Sequence, residues 1–406
     1  MGRLEEPTNE ASAIAEQGGG RATKVEQLIQ QYCPDGVEYK KLGDVLSVNR
    51  GRRLTKMQLS DDGQYFVYHG SKDTPLGKYT QFNVKGNTTI VVNTGGIGGV
   101  KFCDDDFWCS DGSFWIGHSD LLNDKFVYYY LSPLESYFAS QKRVGGVPTI
   151  DRSVVENVEI PLPPLPVQEE IVRILDTFAE LQAELQAELQ ARLQQYNYFR
   201  DNLLSFEGRT DVEWKKLGNV CLKVCSGGTP SRGNSGYFTG DIPWLRTQEV
   251  DWKDIYDTEI KITEDAVKNS SAKLIPENCV IIAMYGATAG KVGINKIPLT
   301  TNQACCNLQI NPQKALYKYV YYWVCNEYEH LKSLGQGSQN NINAQIIKEY
   351  PIPVPPLAEQ QRIVDILDRF HALTTDITAG LPAEIEARRK QYEYYRDQLL
   401  TFKQKA

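Results

Sequence analysis

FAELQAELQAELQARLQ, residues 178–194, is the stretch that decides the architecture of this chain. Ala, Glu, Leu and Gln are strong helix formers, and neither Gly nor Pro interrupts them, so the repeated AELQ unit predicts a rigid helical rod. Its leucines recur at every fourth position, so each is turned by about 40° from the last and the apolar stripe winds slowly around the helix. The stripe needs a partner helix to cover it. The alternatives are a spacer and an ordinary amphipathic helix of some core.

Three sequence blocks that flank the rod occur twice, so the chain contains an internal repeat. They are a strand entry, a proline-rich exit and a helix end. The pairs are GVEYKKLGDV (36–45) with DVEWKKLGNV (211–220), IPLPPL (160–165) with IPVPPL (352–357), and QYNYFRDNLL (195–204) with QYEYYRDQLL (391–400). A short predicted helix, Lys24–Gln31, copies the end of the helix that precedes the second half.

Each half therefore consists of a globular segment, a proline-rich exit and a long helical segment. Short β-branched or aromatic runs such as Thr89–Val92 and Val280–Met284 predict strands, and helices such as Lys125–Phe138 and Ala315–Leu334 interleave with them. The prolines of the first exit predict that the following helix begins at Val167. The Gly380–Pro382 stretch predicts a kink or break in the second long helix.

We expect an α/β or α+β fold in which two similar domains are separated by two long antiparallel helices, with pseudo-twofold symmetry. The predicted boundaries are a polar N-terminal tail (1–23), a first domain with a short N-terminal helix (24–160), a central helical spacer (161–206), a second domain (207–352) and a C-terminal helical spacer (353–406).

Composition limits the cellular setting and the class of protein. The chain has 406 residues, of which 41% are hydrophobic, enough for two domain cores. No apolar run of about 18 residues and no signal-peptide pattern occurs, so we expect a cytoplasmic protein without membrane partners. The nine cysteines lack framework spacing and are expected to be free thiols. The net charge of −7 is unusual for a nucleic-acid binder, so any basic surface must be local.

Catalytic and metal-binding motifs are missing from the sequence. No phosphate-binding G-x-x-x-x-G-K-[ST] loop occurs, and Asn311-Pro312 lacks the second proline and the aromatic residue of an adenine methyltransferase motif. Glu259 and Lys261 with Asp254 imitate a nuclease metal site, but the same Glu-x-Lys spacing recurs at both strand entries. We therefore predict a non-catalytic chain that holds no metal and no cofactor.

The combination of these blocks, E-[YW]-K-K-L-G, I-P-[LV]-P-P-L-x-x-Q-x-x-I-V-x-I-L-D and Q-Y-x-Y-[FY]-R-D-x-L-L, resembles the specificity subunit of type I restriction-modification systems. The resemblance covers nearly all of Lys24–Phe402. It implies two target-recognition domains, each reading one half of a bipartite target in double-stranded DNA. It also implies that the helices set the gap between the half-sites and dock two modification (methyltransferase) subunits. Those partners would use S-adenosylmethionine, and the restriction and translocase subunits of the full complex would use ATP and Mg²⁺.

Candidate DNA contacts lie in polar, glycine-bearing loops, where cations can meet phosphates or guanine and where Gln and Asn suit adenine. The alternative for each is a solvated loop, a cap or a turn. In the first half they are Arg50, Arg52, Arg53, Lys56, Lys142 and Arg143; in the second half they are Arg232, Asn234, Lys291, Gln336, Gln339, Asn340 and Asn341.

Candidate partner contacts lie at the proline exits and the helix ends, where aromatic residues outnumber what antiparallel packing needs. The alternative is that the aromatics simply close the helix pair. The candidates are Gln168, Gln360, Tyr196, Tyr198, Phe199, Tyr392, Tyr394 and Tyr395. Two other classes of function stay open: a coiled-coil scaffold that binds only protein, and a divergent DNA nuclease or methyltransferase.

Overall fold

The computed structural model describes residues 23–143, 146–335, 341–375 and 380–405. These residues fall into two units. Unit 1 is formed by the described residues of Met1–Gln186 and Glu384–Ala406, and unit 2 by those of Ala187–Ala383. The sequence suggested that the helical spacers are segments separate from the domains, but each spacer is divided between the two units. Each unit therefore contains a globular part and two helical pieces. The predicted N-terminal tail, apart from Thr23, lies outside the described residues.

The helices begin and end at residues that cap or interrupt them. In the described residues they are α1 Lys24–Tyr32, α2 Leu42–Val45, α3 Asp124–Leu131, α4 Glu135–Ser140, α5 Arg152–Glu156, α6 Leu165–Leu203, α7 Glu264–Lys268, α8 Tyr317–Asn326, α9 Tyr328–Ser333, α10 Ala344–Glu349, α11 Leu357–Thr375 and α12 Leu381–Leu399.

The strands are short, and most of the central ones are buried. They are β1 Tyr39–Lys41, β2 Val48–Arg50, β3 Tyr65–Tyr68, β4 Gly77–Tyr79, β5 Thr88–Val92, β6 Val100–Cys103, β7 Trp108–Cys109, β8 Ser113–Ile116, β9 Glu159–Pro161, β10 Glu213–Lys216, β11 Cys221–Ser226, β12 Ile242–Leu245, β13 Asp254–Ile255, β14 Lys261–Ile262, β15 Val280–Ala283, β16 Val292–Asn295, β17 Thr300–Thr301, β18 Cys305–Ile310 and β19 Pro351–Val354.

The two units share one sheet topology, as the internal repeat predicts. Unit 1 has a four-stranded sheet of order β2-β8-β5-β6 and a three-stranded sheet of order β4-β3-β7. Unit 2 has the matching orders β11-β18-β15-β16 and β14-β12-β17, and β13 is added at the edge of its larger sheet. In both units the three-stranded sheet combines one antiparallel and one parallel pair. The two domains therefore have the same fold.

The repeated strand entry and the repeated proline exit pair with each other. β1 runs antiparallel to β9, with Tyr39 opposite Pro161. β10 runs antiparallel to β19, with Glu213 opposite Val354. Each globular part is therefore closed at its base by a two-stranded ribbon, made of the two blocks that recur in the sequence.

The long helix α6 starts earlier than its prolines suggested. We expected a start at Val167, but the helix begins at Leu165 because Pro166 occupies the first turn, where a backbone N–H would lack an intrahelical acceptor anyway. From there it continues without a break through the AELQ repeats to Leu203. The predicted rod is confirmed. The predicted interruption of the second long helix is confirmed too, since α11 ends at Thr375 and α12 begins at Leu381.

Two other predicted helices are each split in two. The segment predicted as Lys125–Phe138 forms α3 and α4, with a 3-10 turn at Ser132–Leu134 that holds Pro133. The segment predicted as Ala315–Leu334 forms α8 and α9, which meet at Glu327. Hydrophobic periodicity carries through such short turns, so the sequence pattern alone does not reveal them.

An aromatic joint closes the helix pair inside each unit. In unit 1, Phe178 of α6 stacks on Tyr395 of α12 with ring centroids 5.6 Å apart and lies 6.5 Å from Tyr392. In unit 2, the repeat-equivalent Phe370 of α11 stacks on Phe199 of α6 at 5.4 Å and lies 6.4 Å from Tyr196. Equivalent positions of the repeat therefore join the two helical pieces of each unit in the same way.

The two ends of the described chain meet in unit 1. Residues at the C-terminus form a bridge to Val37, whose N–H donates to the carbonyl of Lys403 at 2.9 Å and whose carbonyl accepts from Lys405 at 2.9 Å. Leu400 and Phe402 pack into the core of unit 1, as Leu204 and Phe206 pack into the core of unit 2. The core of unit 1 is therefore made from two separate segments of the chain, whereas the core of unit 2 is made from one continuous segment.

The predicted N-terminal helix is present as α1. Thr23 caps it, accepting from the Glu26 N–H while the Glu26 carboxylate accepts from the Thr23 N–H. Val25 is buried in the core of unit 1, and Lys24 donates to Glu170 of α6 at 2.7 Å. Among the described residues, no helix is both long enough and apolar enough to cross a membrane.

Candidate nucleic-acid interface

Five loops of unit 1 meet at one edge of its sheets. The loops follow β2, β3 and β5 and precede β8, so the strand directions bring them to the same edge. Backbone hydrogen bonds link them: Arg52 N–H to the Cys109 carbonyl at 2.9 Å and Gly96 N–H to the Gly70 carbonyl at 2.8 Å. We call this surface rim 1, defined as residues 50–60, 69–76, 93–99, 110–112 and the described part of 141–150.

The four predicted cations of the first basic loop all lie on rim 1. Arg50 ends β2, and its Nε donates to the Asp111 carbonyl at 3.2 Å. Arg52, Arg53 and Lys56 are exposed, and none of them forms an ion pair within the described residues. This leaves three cations free to meet phosphates or base edges.

The backbone of this loop lies close to the neighbouring loop. A Cβ at Gly51 would come within 2.1 Å of the Ser110 carbonyl oxygen, so only glycine fits there. Leu54 is buried against Val67 and Trp108. The backbone is thus held in place on both sides of Arg52 and Arg53, by Gly51 and by Leu54.

The other predicted pair, Lys142 and Arg143, joins the same rim. The Arg143 N–H donates to the Thr149 carbonyl at 2.8 Å, and Thr149 bridges to Thr94 of the glycine-rich loop. The Arg143 guanidinium forms an ion pair with Asp151, whereas Lys142 is exposed. Lys142 is therefore the freer of the two cations.

Rim 1 also contains polar residues that the sequence analysis missed. His69 Nδ1 lies 3.2 Å from Ser110 Oγ and 3.4 Å from Asp111 Oδ1. Asn93 is buried, donates to the Asp111 carbonyl at 3.2 Å, and its Oδ1 finds no hydrogen-bond partner among the described residues. The available signal was their position directly after β3 and β5, where side chains reach the sheet edge.

The equivalent edge of unit 2 is built in the same way. Gly228 N–H donates to the Thr301 carbonyl at 2.9 Å, Asn302 N–H to the Leu245 carbonyl at 2.9 Å, and Ile342 N–H to the Met284 carbonyl at 2.9 Å. A Cβ at Gly227 would come within 1.9 Å of the Thr301 carbonyl oxygen, the counterpart of Gly51. We call this surface rim 2, defined as residues 226–234, 246–249, 284–291, 301–304 and the described part of 335–342.

The predicted residues of rim 2 differ in how free they are. Arg232 is exposed, while the Asn234 side chain caps a 3-10 turn by accepting from Gly236 N–H at 3.1 Å. Lys291 Nζ lies 2.6 Å from Asp251 Oδ1, so its charge is already paired. Asn341 accepts from Gly286 N–H at 3.4 Å. Gln336, Gln339 and Asn340 lie outside the described residues.

Sequence reasoning missed two polar groups of rim 2. Arg246 directly follows β12, as His69 directly follows β3 in unit 1, and its guanidinium contacts the carboxylates of Glu249 and Glu259. Gln303 accepts a hydrogen bond from Thr229 of the glycine-bearing loop. The local sequence does not distinguish Arg246, because one of its partners, Glu259, lies outside the turn that contains Arg246 and Glu249.

The prediction that Gln168 and Gln360 contact a partner is wrong, because both side chains are fully buried. Gln168 accepts from Asn123 N–H at 2.7 Å and donates to the carbonyls of Leu121 and Pro163 at 2.9 and 2.6 Å. Gln360 repeats this in unit 2, with Leu316 N–H and the carbonyls of Pro355 and Lys314. Each glutamine locks the start of a long helix to its own domain.

The predicted aromatic contacts divide into two groups. Tyr196, Phe199, Tyr392 and Tyr395 belong to the aromatic joints, so the structure assigns them to closing the helix pairs. Tyr198 and Tyr394 are different: they occupy equivalent positions of the repeat and remain 66% and 62% exposed. These two are the most exposed of the six predicted aromatic residues.

The acidic residues of the nuclease-like motif form ion pairs, and two of the thiols are buried. Glu259 pairs with Arg246, Lys261 with Asp257 at 3.2 Å, and Asp254 with Lys296 at 3.4 Å, so the nuclease-like spacing is engaged in ion pairs. Among the described residues no group of three or more His, Cys, Asp or Glu side chains could hold a metal ion. Burial raises the pKa of the Cys103 and Cys306 thiols to about 12, which makes them poor nucleophiles.

Comparison with known proteins gives a consistent result. A family model described as the type I restriction modification DNA specificity domain matches residues 34–195 and 210–387. The specificity subunit of a type I restriction enzyme of Escherichia coli is 43% identical over 68% of this chain and 70% of its own length. A Haemophilus influenzae protein that carries the name of a type I restriction enzyme specificity subunit is 30% identical over 90% of this chain and 96% of its own.

A solved structure shares the fold. The S subunit of a type I restriction-modification system from M. genitalium superposes with a TM-score of 0.59 over 90% of this chain and 95% of that one, at 18% sequence identity. The two matched segments of the family model correspond to the two halves that the internal repeat and the sheet orders define.

Proposed function

We propose, from the premise that this chain belongs to the type I restriction-modification DNA specificity family, that rim 1 and rim 2 each read one half of a bipartite DNA target. Like its relatives in this family, the chain is a DNA specificity subunit and not an enzyme.

One observation carries this proposal: the frame of the two units is the same, whereas the side chains on the two rims differ. The sheet orders, the Gln168 and Gln360 locks and the aromatic joints are duplicated. At the rims, the free cations of the first loop have a glycine-bearing, nearly neutral counterpart. A common frame that presents different side chains is what two half-sites of different sequence require.

The negative net charge of −7 is compatible with DNA binding because charge acts locally. Phosphates are met by the cations of one surface, and acidic residues more than a Debye length away are largely screened at physiological salt. Arg52, Arg53 and Lys56 form such a local surface, with no ion pair among the described residues. Binding should therefore weaken steeply as salt rises.

The two exposed tyrosines are our candidates for the partner surface. Tyr198 and Tyr394 make the same edge-to-face contact with the next aromatic residue, at 5.6 and 5.4 Å. Each is followed by an Arg–Asp ion pair, Arg200–Asp201 and Arg396–Asp397. Two copies of one surface suit two copies of one partner, and we propose that this partner is the modification subunit.

The cofactors of the reaction would then be held by the partners. S-adenosylmethionine would be the methyl donor of the modification subunits, and ATP with Mg²⁺ would drive the restriction and translocase subunits of the full complex. This chain contributes sequence recognition and assembly. Its nine cysteines form no disulfide, which suits a reducing compartment such as the cytoplasm.

The helix α6 with its AELQ repeats is the proposed determinant of the gap between the half-sites. A continuous helix without Gly or Pro in its repeat resists bending, so its length and its angular phase are set by the number of repeats. We therefore propose that the gap in the target changes with the repeat number.

Methylome sequencing of cells that carry this chain together with its modification subunit tests the proposed function. The expected result is a single methylated motif with two specified parts separated by a gap of unspecified bases. A continuous motif, or no methylation that depends on this chain, would overturn the proposal. Cells with the modification subunit alone are the control, and they should show no such motif.

A further inference from the structure

The first loops of the two rims contain the same turn. Arg52 N–H binds the Cys109 carbonyl and Gly228 N–H binds the Thr301 carbonyl, and these acceptors end the equivalent strands β7 and β17. Counting on from these equivalent residues, Thr55–Gln58 corresponds to Ser231–Asn234. In both turns the last N–H donates to the first carbonyl, at 3.0 Å in unit 1 and 3.2 Å in unit 2. We call these two segments the tip turns.

The two tip turns are alike at their second position, which is a cation in both, and differ at their third position. The second position is a cation in both, Lys56 and Arg232, and both are exposed. The third position is Met57 in unit 1 and Gly233 in unit 2. Met57 is 96% exposed, more than any other large apolar side chain in the described part of the chain.

The tip turn of unit 1 is not a loose loop. Leu54 before it is buried, and Leu59 after it packs on the same small core as Val67 and Trp108. Inside the turn, Gln58 Oε1 accepts from the Thr55 N–H at 3.0 Å and from the Thr55 hydroxyl at 2.9 Å. A further backbone bond joins Ser60 N–H to the Lys78 carbonyl at 3.0 Å. The apolar side chain of Met57 is therefore exposed to water on a turn whose backbone is fixed by hydrogen bonds and by buried neighbours.

The surroundings of Met57 indicate what covers it. Arg52, Arg53 and Lys56 lie in the same loop, and none has an ion-pair partner among the described residues, which favours a polyanion over an apolar protein surface. A thioether has no hydrogen to donate to a phosphate oxygen and is at most a weak acceptor, so Met57 gains most from an apolar counterpart in DNA. On the base edges of the major groove the apolar group is the C5-methyl of thymine.

We propose that Met57 is a specificity-determining residue of unit 1 that contacts the methyl group of one thymine in the first half-site, while Lys56 and its counterpart Arg232 bind phosphate. This rests on the proposed function of rim 1. Unit 2 lacks the contact, because Gly233 has no side chain. The space there is open, since a Cβ on Gly233 would have only Ser231 Oγ nearby, at 3.7 Å.

Replacement of thymine by uracil tests the contact, since it removes the methyl group and keeps the base pair. Duplexes carrying one uracil at each thymine position of the first half-site, on either strand, are bound by the complex of the full chain with its modification subunit. With the native chain, uracil at one position should weaken binding about fourfold, the ratio expected for one buried methyl group. The Met57→Gln variant should bind that uracil duplex and the thymine duplex equally, whereas Met57→Leu should keep the difference.

Two matched variants control for exposure and for the added side chain. Leu121→Gln changes another exposed apolar residue of unit 1 that lies outside rim 1, and it should leave the uracil profile of the native chain unchanged. Gly233→Met should also leave the profile of the first half-site unchanged. All four variants concern exposed positions, so they are expected to fold.

The proposal is overturned if no thymine of the first half-site is sensitive to uracil, or if Met57→Gln keeps the sensitivity of the native chain. Either result would leave the proposed function standing, because the bipartite motif is measured independently with the native chain. Loss of the bipartite motif itself would instead remove the premise.

Discussion

The aromatic joints are alike in the two units, whereas the rims differ in their side chains. In the joints, Phe178 with Tyr395 and Phe370 with Phe199 keep nearly the same ring distances, 5.6 and 5.4 Å. At the rims, Arg52 and Arg53 are replaced by Gly228 and Thr229 on the same backbone path.

The difference shows which parts of the molecule are bound by packing and which are free to vary. A joint residue contacts fixed neighbours in its own unit, so a change in volume costs stability. The exposed rim residues Arg52 and Arg53 form no ion pair within the described residues, so they can differ between the units without loss of packing. The shared parts therefore maintain the fold of each unit, and we propose that the differing parts read DNA.

Removal of Leu400–Ala406 should have the largest effect, and it should fall on unit 1. Leu400 is buried and Phe402 half-buried in that core, and Val37 would lose both of its backbone bonds to the C-terminus. The free energy of unfolding of unit 1 should drop by about 4 kcal/mol. Hydrogen exchange resolved by peptide measures it; equal loss of protection in unit 2 would contradict the assignment of these residues to unit 1.

The buried glutamines should have effects of equal size in the two units. Gln168→Ala and Gln360→Ala each leave a buried N–H and two carbonyls without their partner, which should cost about 3 kcal/mol. Urea unfolding followed by hydrogen exchange should place each loss in its own unit. Gln190→Ala, on the exposed face of α6, is the control and should be neutral. A neutral Gln168→Ala would remove the locking role.

The exposed tyrosines should matter for assembly and not for stability. Tyr198→Ala and Tyr394→Ala should each weaken binding of one modification subunit by about 2 kcal/mol, roughly thirtyfold. Titration of the variant chain with the modification subunit measures the affinity, and unfolding curves should be unchanged. Tyr256→Ala, which alters a tyrosine of unit 2 that is 68% exposed, is the control. Unaltered assembly by the double variant would refute the proposed partner surface.

The basic loop of rim 1 should affect one half-site only. Arg52→Ala with Arg53→Ala should weaken DNA binding about tenfold and relax the first half-site, because two free cations are lost. Methylome sequencing with the double variant should show the second half-site unchanged. Arg389→Ala with Lys390→Ala, two exposed cations of α12, is the control. Altered bases in the second half-site would mean that the rims do not read independently.

Patterns repeated in the sequence predicted most of the architecture. The duplicated blocks predicted two domains of one fold, and the matching sheet orders confirm them. The AELQ run predicted α6, since its helix propensity needs no tertiary contact to be read. Pro166 shifted the predicted start by two residues, because proline is tolerated in the first turn of a helix.

The candidate site was predictable only in part, because its members come together through tertiary contacts. Cations in glycine-bearing loops pointed to Arg52, Arg53 and Lys56. His69 and Asp111 are distant in sequence, and only the adjacent ends of β3 and β7 bring them within 3.4 Å. The role of Gln168 was misjudged for a similar reason: its hydrogen-bond partners on the domain, Leu121 and Asn123, are far away in the sequence.

We propose that rim 1 and rim 2 read their half-sites independently and that α6 sets the gap between the half-sites, and deletion of Ala187–Gln190 changes only the second of these roles. The deletion shortens α6 by about 6 Å and turns its far end by about 40°. One base pair of B-DNA spans about 3.4 Å and turns by roughly 35°. The angle corresponds to one base pair, and because the grooves must face the rims, we expect the angular phase to decide.

The measurement is methylation-site mapping of the deletion variant against the parent chain, each with the modification subunit. We expect a gap that is one base pair shorter, with both half-sites unchanged and assembly retained. An unchanged gap, or altered bases in either half-site, would contradict it.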